Sequence, residues 1–467
     1  MAQHQPGKYQ FIEFVVATST SPPSRKQQRT IRSHASRGRT KRRQRPQLKS
    51  WILQRDGSPS LVDDQYTSIP PRVGWDLSFF DFPIEIQPYM QGDLSLALSP
   101  LREALYPPEI CLQVDPASSS WTTALLTDSV YLHCTLFSVE AYLELCLRKS
   151  HGPLTHFYFQ KTLRLLQDRL DRPGDPLSIS DPTIMVVSVL GLTAEVTGDS
   201  MAGKKHMEGL RRMVDLRGGL EMLRSDNSRL PAKVCRIDLV LALRFGIEPV
   251  FFNSAIPWRS FVDHGLIGKS KEAPADDEDL SNILSTLDKR LKNIWNDLKE
   301  FSQICNLASQ TTHKLSPNIF SEIMISIYYR LLSLKFEDDP VAEAIRVAMM
   351  AFGSGVFFQW RGIKQRLAFL DNLSQRSLLS LRKSQTRPPP LLILWLLVVQ
   401  LSAFSQLPPG NDLRLWVDDI VSQLRISDWK QGRQMLKSVM WIDYCHDKVL
   451  DQVWPETTKS PHVCKEG

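Results

Sequence analysis

Apolar side chains recur along most of this 467-residue chain at the three-and-four spacing of an α-helix, not at the two-residue alternation of a strand. The stretches WTTALLTDSVYLHCTLFSVEAYLELCLRK (Trp121 to Lys149), LTHFYFQKTLRLLQDRL and NIFSEIMISIYYRLLSLKF carry that spacing most clearly. Helix starts are marked too. Ser99-Pro100, Asp181-Pro182, Ser316-Pro317 and Asp339-Pro340 each set a side-chain acceptor before a proline. The acceptor satisfies free N–H groups, and the proline sits where its missing N–H costs nothing. Strand alternation is nearly absent, Asp56-Gly57 is an isolated turn signal, and no motif recurs at a solenoid period. The pattern predicts an all-α body, a bundle or array of helices.

One stripe is more regular than the rest. In DLSNILSTLDKRLKNIWNDLKEF, the residues Leu280, Leu284, Leu287, Leu291, Ile294, Leu298 and Phe301 are spaced 4, 3, 4, 3, 4, 3. An average of about 3.5 is the seam of a coiled coil. It fits one long helix in an intramolecular bundle, and the alternative is a homodimer seam. The acidic run ADDED (Ala275 to Asp279) suits the positive end of the helix that follows. In GKKHMEGLRRMVDLRGGLEML (Gly203 to Leu223), His206, Leu210, Met213 and Arg217 share a helix face with Leu216 adjoining. Gly218-Gly219 then predicts a left-handed C-cap, after which helix resumes at LEML.

The first 95 residues read differently. STSPPSR, SIPPR and FDFPIEIQP interrupt any period, and the segment is expected to be a disordered basic arm and Pro-rich linker ahead of a helical domain over 96–460. Charge sharpens that division. Ten basic residues and no acid lie between Arg25 and Arg45, among them Arg29, Arg32, Arg37, Arg39, Lys41, Arg42, Arg43 and Arg45. Without those ten the net charge of +7 becomes about −3, so a mildly acidic body carries a basic arm. Seven scattered cysteines, an odd number with no C-x-x-C pair, fit buried thiols in a reducing compartment. FIEFVVA (Phe11 to Ala17) is short for a secretion signal, and LLILWLLVV (Leu391 to Val399) is about half a bilayer span. A soluble intracellular protein, not a membrane protein, is the expectation.

Candidate chemistry is thin. GLIGKS (Gly265 to Ser270) imitates the end of a phosphate-binding loop, but Asp263 stands where that loop needs glycine, and a carboxylate there repels phosphate. Asp443, His446 and Asp447 share a helix face without further ligands, which favours a solvated face or a cap. His133 beside Cys134 fits a core histidine, and Gly353-Ser354-Gly355 is not a nucleophile elbow. No catalytic set, metal site or cofactor loop is expected, and no enzyme.

Taken in order, several segments resemble the fungal-specific transcription factor family, the regulatory domain that accompanies binuclear zinc-cluster DNA-binding domains. They are TIRSHASRGRTKRRQR in the arm, HMEGLRRMVDLRGGL, RIDLVLALRFGIEPVF (Arg236 to Phe251), PPLLILWLLVVQLSAF and LKSVMWID. The most specific pieces are His206 with Gly209-Leu210, Leu216-Arg217-Gly218-Gly219, and Arg236 with Asp238, and the resemblance spans roughly 11–455. It implies a nuclear, all-helical regulatory domain acting in RNA polymerase II transcription. The six-cysteine cluster of that family has no counterpart in this sequence, where the first cysteine is Cys111. The arm itself admits four readings: a nuclear signal in KRRQRP, a DNA contact, an organelle address, or a solvated tail. The expectation is a nuclear transcription regulator whose arm is first of all a nuclear signal, with DNA contact through the same cations as its second role. Coregulators, a partner transcription factor or a second copy would meet the helical body. The alternative is a scaffold that modulates a partner transcription factor without binding DNA.

Overall fold

Asp128 divides the helically spaced stretch that begins at Trp121 into two helices. Its Oδ1 accepts from the backbone N–H groups of Val130 and Tyr131, both at 2.9 Å, which ends one helix and caps the next. This is seen in a computed structural model that describes residues 80–98, 106–112, 120–146, 152–172, 174–226, 230–251, 278–358, 367–404 and 412–447. All of these belong to one unit, Asp76–Gly467. Among the described residues the regular structure is helical throughout, and the sheet-like pairing is an isolated bridge between Cys111 and Leu315.

The first group of helices is α1 (Met90–Leu98), α2 (Ser120–Thr127), α3 (Ser129–Cys146), α4 (Pro153–Leu170), α5 (Asp181–Thr197), α6 (Ser200–Leu216) and α7 (Leu220–Asp226), with a 3-10 turn at Pro176–Ile179. Next come α8 (Leu230–Phe245), α9 (Glu278–Thr286), α10 (Lys289–Gln310), α11 (Pro317–Ser333) and α12 (Pro340–Phe357). The last are α13 (Ala368–Lys383), α14 (Pro390–Ala403), α15 (Asp412–Gln423) and α16 (Trp429–Val439). Two of the proline-marked starts behave as the sequence suggests. Ser316 accepts from Ile319 N–H, and Asp339 accepts from Val341 and Ala342 N–H. Helix α1 begins inside the stretch read as linker. Met90 and Leu94 bury there in one core with residues of α3, a contact too short in sequence to register as a period.

Two cores result, and α8 is the wall between them. Leu230, Val234, Ile237 and Leu241 pack into the N-terminal core, whereas Cys235, Leu239, Val240 and Leu243 pack into the C-terminal one. A helix with apolar residues on both sides must be enclosed on both sides. Truncating one such leucine to alanine costs about 2–5 kcal/mol. The C-terminal core is built around α12, the one described helix whose length and composition would suit a bilayer, and α12 is 83 % buried in the protein's own interior. Aromatic rings lock this core: Trp295 meets Trp395 edge-on at 5.1 Å, and Phe301 stacks on Phe357 at 4.8 Å. At Gly353 a Cβ would lie 2.8 Å from the Tyr328 hydroxyl, so this glycine admits a close neighbour helix.

The regular leucine stripe corrects one expectation, the single long helix, and meets another, packing inside the chain's own bundle. It is two helices and not one, because the chain leaves the helix at Leu287 and Asp288. Asp288 then caps α10 by accepting from Arg290 N–H at 2.7 Å. The stripe also faces inward. Leu280, Leu287, Leu291, Ile294, Leu298 and Phe301 lie in the C-terminal core, with Leu284 packed against it. The candidate homodimer seam is occupied by the chain's own helices. Leucines at this spacing bury equally well against any apolar partner, and here the partner is intramolecular.

Candidate functional site

Arg29, Arg32, Arg37, Arg39, Lys41, Arg42, Arg43 and Arg45, the phosphate-loop mimic at Gly265–Ser270 and Cys464 lie outside the described residues. TIRSHASRGRTKRRQR is likewise outside them, and the other segments that carry the resemblance lie within them. On α6, Met207, Leu210 and Met213 are buried, and His206 is half-buried, with burial lowering its pKa. Gly209 has open space where a Cβ would stand. Leu216 does not join the buried face and is 71 % exposed. The helix ends as expected, with Gly218 at φ +88° and Gly219 at φ +92°. Their N–H groups reach back to Asp215 O and Val214 O, satisfying carbonyls that the helix leaves free. Arg217 donates through Nη1 to Ile179 O (2.9 Å) and Asp181 Oδ1 (3.0 Å), tying the end of α6 to the start of α5. Asp181, read from sequence as a cap, is thus an ion-pair partner.

Arg236 and Asp238 act as a clamp between the cores. Arg236 is buried on α8, donates through Nη1 to Phe357 O, and places its guanidinium 5.4 Å from the Phe358 ring centroid. Asp238 gathers three donors: Val250 N–H on Oδ1 at 2.8 Å, Phe251 N–H on Oδ2 at 2.9 Å, and the Tyr329 hydroxyl on Oδ2 at 2.8 Å. Burial raises its pKa, and those three hydrogen bonds oppose the shift. The carboxylate therefore fixes the segment after α8 against α11.

That fixed segment forms one wall of a cleft of about 370 Å³. Gly246, at φ +70°, begins the wall, and the Phe369 ring occupies the place its Cβ would need, 2.5 Å away. Ile247 and Pro249 continue it; Leu332 and Phe336 face it from the end of α11 and the following turn, and Leu373 and Ser377 from α13. Arg346 braces the opposite side. It donates to Leu331 O at 2.9 Å and to Glu343 Oε2 at 2.8 Å, and Phe336 N–H also reaches Glu343 Oε2. Sequence patterning missed this cleft because its walls come from residues 242 to 380; a glycine just past the end of α8 was its one local signal.

Asp443, His446 and Asp447 form no ligand set. Arg433 pairs with Asp443 at 3.0 Å and Asp447 at 2.8 Å, and Lys437 pairs with Asp443 at 2.8 Å. His446 is buried and stacked on Phe352 at 4.5 Å, its pKa pushed down to about 4 by desolvation. His133 is likewise a core residue, its Nδ1 2.7 Å from Ser129 O. Among the described residues no three His, Cys, Asp or Glu side chains are grouped to hold a metal, and the six described cysteines are free thiols. No family model matches this chain, and no curated protein and no solved structure matches it either.

Proposed function

We propose that this chain is a nuclear regulator of RNA polymerase II transcription, in which the basic arm holds nucleic acid and the helical body is the regulatory domain. The observation that carries this reading is the segregation of charge. Ten cations without an acid between Arg25 and Arg45 precede a body of net charge near −3. Such an arm exchanges condensed counterions for its own side chains, so binding weakens steeply with salt. Eight of the ten are arginines, whose guanidinium forks suit phosphate oxygens and guanine edges. In the helical body Arg217, Gly218, Gly219, Arg236 and Asp238 each have a structural task in joining the helices.

The test is genome-wide crosslinking of the tagged full chain beside a variant with Arg37, Arg39, Lys41, Arg42 and Arg43 changed to alanine and a foreign nuclear signal added. Discrete promoters marked by the wild type and lost by the variant are the expected result. Promoters shared by both would assign DNA reading to a partner transcription factor and the chain to a scaffold role. The scattered cysteines, which form no zinc cluster in this sequence, favour that as the second reading. No enrichment for either protein would overturn the proposal.

A further inference from the structure

We infer that the cleft between the α8–α11 junction and α13 is a binding site for a small amphipathic molecule, an apolar ring or chain that carries an amine. The inference goes beyond the arm's contact with nucleic acid and does not depend on it. Three observations carry it: size, rigidity and the balance of polar groups.

The volume, about 370 Å³, sits at the lower end of the ~300–1,000 Å³ that small-molecule sites occupy. An aromatic or short aliphatic body fits such a space, whereas a docked helix needs an extended groove. The body of the cleft is apolar, with Ile247, Leu332, Phe336, Phe369 and Leu373 contributed by separate elements. Burying a ligand's apolar surface against these side chains is the main source of affinity.

The walls are already fixed. Asp238 holds the backbone of Val250 and Phe251 directly after the wall residue Pro249. On the other side, Arg346 and Glu343 hold Leu331 O and Phe336 N–H. A ligand therefore need not order the protein as it binds, which removes a large opposing cost.

The polar groups select the ligand's charge. Arg346 and Glu343 neutralise each other through two hydrogen bonds, leaving Glu248, Glu337 and Lys335 as the other charged residues of the lining. All three are exposed, so solvent screens them, and their balance of two carboxylates against one ammonium gives a modest preference for a cation. Ser377 points the same way: its hydroxyl donates to Ser374 O, which leaves the oxygen free to accept. An amine supplies the donors and the charge that this set receives, and a carboxylate supplies neither.

The experiment is calorimetric titration of the full chain with 2-phenylethylamine and with phenylacetate, which present the same ring with opposite charges. The amine should bind the wild type at least about tenfold more tightly than the acid. Leu373→Trp, which fills the cleft, should abolish amine binding. The double variant Glu248→Gln, Glu337→Gln leaves the apolar walls untouched and should bring the two probes to within about threefold of each other. Three results would overturn the inference. They are no binding of either probe by the wild type, equal binding of both probes, or amine binding that survives in a folded Leu373→Trp protein.

Discussion

His446 should make the fold acid-sensitive, and the size of the effect follows from its surroundings. The imidazole is 3 % exposed, stacked on Phe352 and tilted against Trp441 at 4.8 Å. Desolvation pushes its pKa down to about 4, against an opposing pull from the Ile442 backbone and from Asp443 and Asp447. Both of those carboxylates are engaged by Arg433, so they do little to welcome a second cation. An unfolded histidine titrates near 6.5. Between about pH 6.5 and 4 the unfolded chain binds the proton and the folded protein does not, so stability falls as pH falls through that window. At about 1.36 kcal/mol per pH unit the full loss is on the order of 3 kcal/mol, of which roughly 2–3 kcal/mol is gone by pH 4.5. That is a large part of a typical stability of about 5–15 kcal/mol. His446→Phe keeps an aromatic ring on Phe352 and removes the titration. Urea unfolding of both proteins at pH 7.5, 6.5, 5.5 and 4.5 isolates the effect, because every other titrating group is shared. The wild type should lose roughly 2–3 kcal/mol relative to the variant across the series. A difference that stays constant to within ~0.5 kcal/mol from pH 7.5 to 4.5 would refute the reasoning.

Two further outcomes follow from the core and the motif. Arg330 and Asp297 form an ion pair at 2.7 Å with both side chains fully buried. Asp297→Leu or Arg330→Met alone should cost about 3–5 kcal/mol, by stranding a buried charge, whereas the double replacement should lie within ~2 kcal/mol of wild type. Urea midpoints of the four proteins check this, and additive losses would show that the pair is not coupled. Gly218→Ala should cost about 1–2 kcal/mol, because φ is +88° and the new Cβ would meet Met222 Cγ at 2.9 Å. The thermal midpoint reads it directly, and an unchanged or raised midpoint would contradict the left-handed cap.

The local parts of this fold are legible in the sequence. Helical periodicity, the caps at Ser316 and Asp339 and the stop at Gly218-Gly219 depend on residues within a turn or two, and all of them stand in the structure. Breaks made by a single polar residue inside an apolar run were not legible. Asp288 splits one expected helix into two, and Asp128 ends one helix and caps the next, because a cap and a surface carboxylate look alike in sequence.

Only the tertiary structure decided where each apolar stripe points. The leucine stripe of α9 and α10 could have met a second copy or its own domain, and spacing alone carries no address; packing turned it inward. The same holds for polar residues. Arg236 and Asp238 read as motif letters, and their work as a clamp needs Phe357 and Tyr329, 121 and 91 residues away. The Arg330–Asp297 pair spans 33 residues, and the cleft draws its walls from α8, α11, α12 and α13. Sequence by itself determined the helices, their punctuation and the separation of a basic arm from a mildly acidic body, since these rest on neighbours along the chain. Which charges are buried, which seam is hidden and where a ligand could enter depend on contacts closed through space, and those exist only once the helices have packed.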